Sequence, residues 1–307
     1  MLPKAVLEPI LFLIYVNFVA GGVGSFWVAF ADDFKVGLCF ERDGVLSGSA
    51  DLQRDLDEIV QRSSSWNLNL NIGKCVAMRF ARRRNQVTNS NMYSINGRPI
   101  EFVSSYRDLG VIVDHDLKFH SHVNVVVGRA SSLIRDLLRA TVCRTRDFMV
   151  TLFTTHVRPM IDYCSAVWNV EYLADARRLE SLQRRWTANI AGLATLPYNE
   201  RLRETGLYSI AGRLLRLDLI KIWKILKLES NPDLASLFEL SGYGATRGHR
   251  LKLNVPICHT EVFRRTLAVR RVTVWNGLPA EVVDCDSVVS FKRGLDVHLG
   301  DKLFEYF

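Results

Sequence analysis

The chain has 307 residues, 48% of them apolar and 23% charged. That composition excludes wholesale disorder, and the length suits two domains or one large irregular one. A net charge of +8 and an isoelectric point of about 9.3 favour nucleic acid or an anionic membrane surface as partner.

The first segment, Pro9 to Ala31, carries no charged residue and follows Lys4. It is long enough to span a bilayer, as in a signal anchor. Asn17 and the run Ala20-Gly21-Gly22-Val23-Gly24-Ser25 split it, however. The better reading is an apolar helix from Ile10 to Phe18, a glycine-rich turn and a short strand from Phe26 to Phe30. After Asp32-Asp33 a second apolar stretch runs from Phe34 to Phe40, so the pattern is a hairpin with an acidic tip. Ser49 reads as the N-cap of a helix that ends near Trp66, with Leu52, Leu56, Ile59 and Val60 on one face. Cys75 to Phe80 is strand-like, and Arg82 to Asn91 reads as an exposed loop. Asn96-Gly97 between Tyr93-Ser94-Ile95 and Ile100 to Val103 is a strong hairpin signal. Leu109 to Val113 is a further strand candidate.

Helical periodicity dominates after Phe119, over 120–140, 145–168, 175–192 and 210–229. Leu179, Leu182, Trp186 and Ile190 form one stripe, and Leu215, Leu219, Ile222 and Leu226 another. Asn231-Pro232 closes the last of these helices. Residues 240–260 read as an exposed loop, and Ser287 or Ser290 opens a final helix through Phe291, Leu295 and Leu299. The expected fold class is α+β, with a mixed unit over 1–117 and a mainly helical one over 118–307. The six cysteines contain no C-x-x-C pair, so reduced, mostly buried thiols are expected. His156 and Cys164 share a helical face and read as core packing, not as a nucleophilic pair. His120 and His122 lack a third metal ligand.

Two adjacent aspartates at the tip of an apolar hairpin admit two readings. Asp is a good turn former, and the pair can be no more than that. A carboxylate beside a buried strand otherwise needs compensation, which a divalent cation supplies. Mg²⁺ takes carboxylate oxygens, substrate phosphates and waters.

The surrounding residues carry a resemblance. Pro9-Ile10-Leu11-Phe12-Leu13-Ile14-Tyr15-Val16-Asn17, followed by Phe30-Ala31-Asp32-Asp33-Phe34-Lys35, resembles the palm of reverse transcriptases from non-LTR retrotransposons of the jockey type. Trp66 to Asn71 with Lys74-Cys75 is similar to the family's W-x-L-x-x-N-x-x-K-C motif. Tyr106-Arg107-Asp108-Leu109-Gly110-Val111 is similar to its primer-grip hairpin, Y-x-x-L-G-V. Val157-Arg158-Pro159, Asp162 to Trp168, Leu182 to Trp186, Arg203 to Leu207, Trp275 to Pro279 and Ser290-Phe291-Lys292 resemble its thumb and C-terminal tail.

The resemblance implies a palm of hairpins and helices leading into a helical thumb. It implies RNA-directed DNA polymerase activity by two-metal nucleotidyl transfer, with Mg²⁺ as cofactor. Its partners would be an RNA template, a DNA primer and deoxynucleoside triphosphates, with no membrane and no specific protein partner, in nucleus or cytoplasm. Asp32 matches the aspartate that ligates both metals, and Asp33 its supporting neighbour. Lys74 matches a lysine near the triphosphate, where a cation offsets developing charge. Leu109 and Gly110 would shape the turn that holds the primer terminus. Arg177, Arg178, Arg184 and Arg185 lead a series of basic residues that continues through Arg213, Arg216, Lys221, Lys224, Arg264-Arg265 and Arg270-Arg271. With Trp186 and Trp223 near, these read either as a solvated face or as a phosphate-tracking surface.

The departures bear on activity. The family's glycine-rich segment P-Q-G-S-x-L-G-P here reads Leu2 to Pro9, with Lys4 and Glu8 in place of the glycines. A third metal-binding aspartate and the fingers lie upstream of that segment in the family and are expected to be missing here. The expectation is therefore a reverse transcriptase fragment, inactive by itself. The alternatives are a non-catalytic nucleic-acid-binding remnant and a membrane-anchored protein using residues 9–31.

Overall fold

The computed structural model describes residues 18–19, 21–39, 45–68, 70–80, 93–169, 171–228, 232–242 and 248–305. The helix expected over Ile10 to Phe18 lies, apart from Phe18, outside them, as do the altered segment from Leu2 to Pro9 and the loop from Arg82 to Asn91. Helix and strand are mixed, which is the α+β class. The chain divides into two compact units, Met1–Ser105 and Tyr106–Phe307. No helix of the described residues is long and apolar enough to cross a membrane.

In the first unit, β1 (Phe26–Phe30) and β2 (Asp33–Gly37) pair antiparallel, with Phe30 opposite Asp33. Helix α1 (Val45–Ser65) follows. It begins four residues before Ser49, which lies inside it and is buried, so the expected N-cap is a core-facing serine. β3 (Val76–Ala77) is far shorter than the strand expected over Cys75 to Phe80. β4 (Ser94–Ile95) and β5 (Arg98–Pro99) form the hairpin that Asn96-Gly97 signals. Asn96 and Gly97 sit at φ 51° and 73°, as a type I′ turn requires. β6 (Glu101–Phe102) then pairs parallel with β3. The core is small. Tyr93, Ile95 and Ile100 are buried against Leu52, Leu56 and Val60 of α1 and against Ile72, Ala77 and Phe102. Gln53 of α1 also bonds both backbone groups of Ser94, each at 2.9 Å.

The second unit opens, from Tyr106, within the hairpin of β7 (Ser105–Asp108) and β8 (Val111–Asp114), so Leu109-Gly110 is a turn and not the start of a strand. Helices α2 (His120–Ala140), α3 (Arg146–Leu152), α4 (Arg158–Asp162), α5 (Ser165–Trp168), α6 (Leu173–Thr187), α7 (Tyr198–Thr205) and α8 (Ile210–Lys227) follow. After them come α9 (Pro232–Ala235), α10 (Glu261–Arg264), α11 (Leu267–Arg270), α12 (Val272–Asn276), α13 (Ala280–Val283) and α14 (Val288–Leu299).

The helix expected over 145–168 is broken. A π turn, Phe153–Val157, joins α3 to α4 and precedes Pro159. Proline has no N–H and crowds the carbonyl four residues back, and a widened turn relieves both. α4 ends at Asp162, and Cys164 adopts φ 52° before α5.

Two apolar clusters hold this unit. One gathers Ile134, Met149, Phe153, Leu182, Trp186 and Leu202. The other gathers Leu219, Ile222, Trp223, Trp275, Phe291 and Leu295. Four tryptophans are almost fully buried, and each indole N–H has an acceptor. Trp168 donates to the Tyr163 carbonyl at 2.7 Å, Trp186 to Met149 at 3.0 Å, Trp223 to Val283 at 3.1 Å and Trp275 to Leu251 at 2.7 Å. Such pairing is what makes a buried indole stabilising. Ser209 caps α8, its Oγ accepting from Gly212 N at 2.9 Å, and Ser287 caps α14 in the same way through Ser290 N at 3.1 Å. The stretch 240–260 is less of a free loop than its composition suggests: Leu253 and His249 are buried, and Leu240 pairs with Leu253.

Candidate functional site

Strands β1 and β2 close on a two-residue turn, Ala31-Asp32, with Ala31 at φ 53°. Asp32 occupies its second position and Asp33 opens β2, and both are exposed. The hairpin face that carries Phe26, Val28 and Phe30 is exposed as well, at 59%, 55% and 60%. Desolvation therefore gives no reason for a cation here, contrary to the premise of a buried strand. What the turn offers is two solvated carboxylates. Among the described residues no group of three or more His, Cys, Asp and Glu side chains could hold a metal ion. The described residues do not by themselves make a two-metal site.

The hairpin is anchored by a residue that the sequence did not single out. Asp55 of α1 accepts hydrogen bonds from Ser25 N at 2.8 Å and Gly24 N at 3.3 Å. Slight burial raises its carboxyl pKa, but these bonds outweigh that and hold it below the ordinary range. Its only sequence signal is an acidic residue on the polar flank of α1.

Lys74 closes a short 3₁₀ turn, Ile72–Lys74, and is exposed. No hydrogen bond or ion pair joins it to Asp32 or Asp33.

In the second unit, Leu109 and Gly110 form the β7–β8 turn with φ 43° and 89°. Both central residues of a type I′ turn need positive φ. Glycine meets that demand without strain, but leucine does not. The turn is nonetheless well held. Tyr163 donates its hydroxyl to the Leu109 carbonyl at 2.7 Å, and a Cβ on Gly110 would lie 3.3 Å from the Tyr163 ring. Along β8, His122 Nδ1 accepts from Ile112 N at 3.2 Å, and at its end Asp114 accepts from Ser121 N at 3.2 Å. Burial is the main cause that pushes the His122 imidazole below its ordinary pKa, and Arg107 and Arg129 add to it against Asp114. A neutral ring accepting at Nδ1 carries its proton on Nε2.

The basic residues divide into two sets. Arg177, Arg178, Arg184 and Arg185 of α6 are all exposed. Arg178 bonds Asn124 at 2.5 Å, Arg185 bonds the Ser131 carbonyl at 3.1 Å, and Arg184 lies 4.8 Å from the centre of the Tyr198 ring. Arg177 makes no hydrogen bond or ion pair among the described residues. Arg213, Arg216, Arg270 and Arg271 are instead engaged inside the fold. Arg213 Nε reaches both Asp162 oxygens at 2.9 Å, and Arg216 bonds Asp296 at 2.5 Å and 2.8 Å. Arg270 and Arg271 share Asp218, at 2.7 Å and 3.0 Å. Trp186 and Trp223, expected beside a phosphate-tracking surface, are fully buried and cannot stack on bases.

None of the six cysteines is buried, against expectation. His156 and Cys164 are exposed and separated by the helix end at Asp162, so they are neither core nor a catalytic pair. His120 instead bonds Asp175 at 2.5 Å. Tyr163 contacts the Leu109-Gly110 turn and His122 the strand after it. Their sequence signals were a lone histidine and the Asp162 to Trp168 run.

No family model matches the chain. The chain is 26% identical over 183 residues to the RNA-directed DNA polymerase from mobile element jockey of Drosophila melanogaster. It is 25% identical over 178 residues to the protein of the same name from Drosophila funebris. Each match covers 57% of this chain and 19% of the relative, so the matched stretch spans about a fifth of the length of these relatives. The chain is thus similar to jockey-type reverse transcriptases, as its motifs imply, and the similarity supports a place among RNA-directed DNA polymerases.

Proposed function

We propose that this relative of the jockey polymerases is the primer-handling part of an RNA-directed DNA polymerase, with palm-derived residues 1–117 and a thumb and C-terminal region over 118–307. The observation that carries the reading is the strained turn at Leu109-Gly110, φ 43° and 89°. Strain of this kind persists where the surroundings over-determine it, and it gathers at functional sites. The turn stands where the Y-x-x-L-G-V resemblance places a primer grip. Asp32 is the metal-ligating aspartate in this reading, Asp33 supports it, and Lys74 meets the triphosphate. Arg177, Arg178, Arg184 and Arg185 lie along the phosphates of an RNA template and DNA primer, in nucleus or cytoplasm.

Two carboxylates at an exposed turn bind Mg²⁺ weakly. The chain on its own is therefore expected to give no extension of a primed RNA template, and robust incorporation would overturn that part. The stronger test joins the chain downstream of the fingers and preceding palm of a jockey relative. The chimera should extend the primer, and Asp32→Asn should abolish extension while primer–template binding persists. Undiminished extension by the Asp32→Asn chimera refutes the assignment. A second reading, nucleic-acid binding without catalysis, draws on the exposed arginines of α6. It predicts a chimera that binds and never extends.

A further inference from the structure

We propose that Tyr163 is the positioning residue of the Leu109-Gly110 turn, holding it in the one shape that meets a primer 3′ end. The inference rests on the reading of that turn as a primer contact.

Two contacts fix the turn to Tyr163, a hydroxyl bond to the Leu109 carbonyl at 2.7 Å and ring packing on Gly110. The bond works on a single peptide unit, because the Leu109 C=O and the Gly110 N–H belong to the same amide. A donor on that oxygen polarises the N–H into a stronger donor. Backbone N–H groups are among the groups that hold nucleic-acid phosphates in register.

Core burial does not account for Tyr163, which is 53% exposed. Its main chain is nevertheless fixed from several sides. Tyr163 N donates to the Pro159 carbonyl at 3.1 Å, and its own carbonyl accepts from the Trp168 indole at 2.7 Å. Asp162 before it is gripped by Arg213, and Cys164 after it is held at φ 52°. A half-exposed phenol carried on so constrained a backbone is an aimed group. The strand after the turn is fixed separately, by His122 on Ile112 and by Ser121 on Asp114. The tip is then the part left to adjust, and Tyr163 is what restrains it.

The test uses the 307-residue chain and two labelled RNA–DNA hybrids of one sequence, one with a recessed primer 3′ end and one blunt. Wild type should prefer the recessed end. Tyr163→Phe, which removes only the hydroxyl, should reduce that preference by about fivefold, the size of one net hydrogen bond. Affinity for the blunt hybrid should stay unchanged, the thermal midpoint should fall by no more than about 2–4 °C, as one lost hydrogen bond implies, and the Gly110 amide should exchange faster with solvent. Tyr163→Ala should do the same and also release the packing on Gly110. If wild type prefers the recessed end and Tyr163→Phe keeps the full preference, the proposal fails and the primer-grip reading stands. An equal loss on both hybrids makes the tyrosine merely structural and also overturns it. If wild type shows no preference, the primer-grip reading fails and this inference falls with it.

Discussion

A leucine held at φ 43° and a histidine that accepts from a strand N–H share a property: neither can be read from composition. Leu109 and Gly110 were legible as a site by motif, but the type I′ geometry and its tyrosine prop depend on a residue 54 positions away. The acidic pair was legible too, while its exposure was not, because the apolar strand beside it presents Phe26, Val28 and Phe30 to solvent. His122 and His249 are both pushed below the ordinary histidine pKa, chiefly by burial. A base whose folded-state pKa is depressed stabilises the fold fully above its unfolded value, and that stability is lost as the pH falls below it. The decline should set in below about pH 6.5, where an unperturbed histidine titrates. Glu180, raised by burial, works in the opposite sense, so a difference measurement is the clean one. His122→Gln keeps an acceptor for Ile112 and removes the titration. Its thermal midpoint should fall less than wild type between pH 7 and pH 5.5, on the order of one ordinary histidine titration window. Parallel curves would remove His122 as a titrating support of the hairpin.

At the scale of elements, the helices with clean stripes were the legible ones. Leu179, Leu182 and Trp186 of α6 are buried, as the 3.6 periodicity requires, whereas Ile190, expected on the same helix, is buried just past its end at Thr187. The break between α3 and α4 was not legible, because Pro159 marks a helix start as readily as a kink and only the π turn decides. Long-range ion pairs were the largest omission. Asp218 is fully buried and takes both Arg270 and Arg271, tying α8 to the segment from α11 to α12, and Arg271 reaches on to Glu171. These arginines looked like a basic surface in the sequence, since a pair 52 residues apart leaves no local pattern. Asp218→Asn keeps the shape and leaves two buried guanidinium groups short of charge. It should cost about 3–5 kcal/mol in urea unfolding, the range for breaking a buried pair. A loss under about 1 kcal/mol, typical of an exposed pair, would show that solvent screens the cluster.

For the whole molecule, fold class and family likeness were more legible than the way the charges pair. The α+β class followed from the shift in periodicity near Phe119, and the family likeness from short motifs in a fixed order. The net charge of +8 is the property that bears most directly on function, and the fold sorts it. Some arginines neutralise buried carboxylates, while Arg177, Arg178, Arg184 and Arg185 remain exposed on α6. The decisive measurement is the affinity of the 307-residue chain for an RNA–DNA primer–template across a salt series. Binding through several phosphates should make log K fall linearly with log salt, by about 0.7–0.9 per phosphate engaged. Arg177→Ala should reduce that slope by about 1 and leave the thermal midpoint in place. A folded chain that fails to bind, or binds with no dependence on salt, would contradict the account.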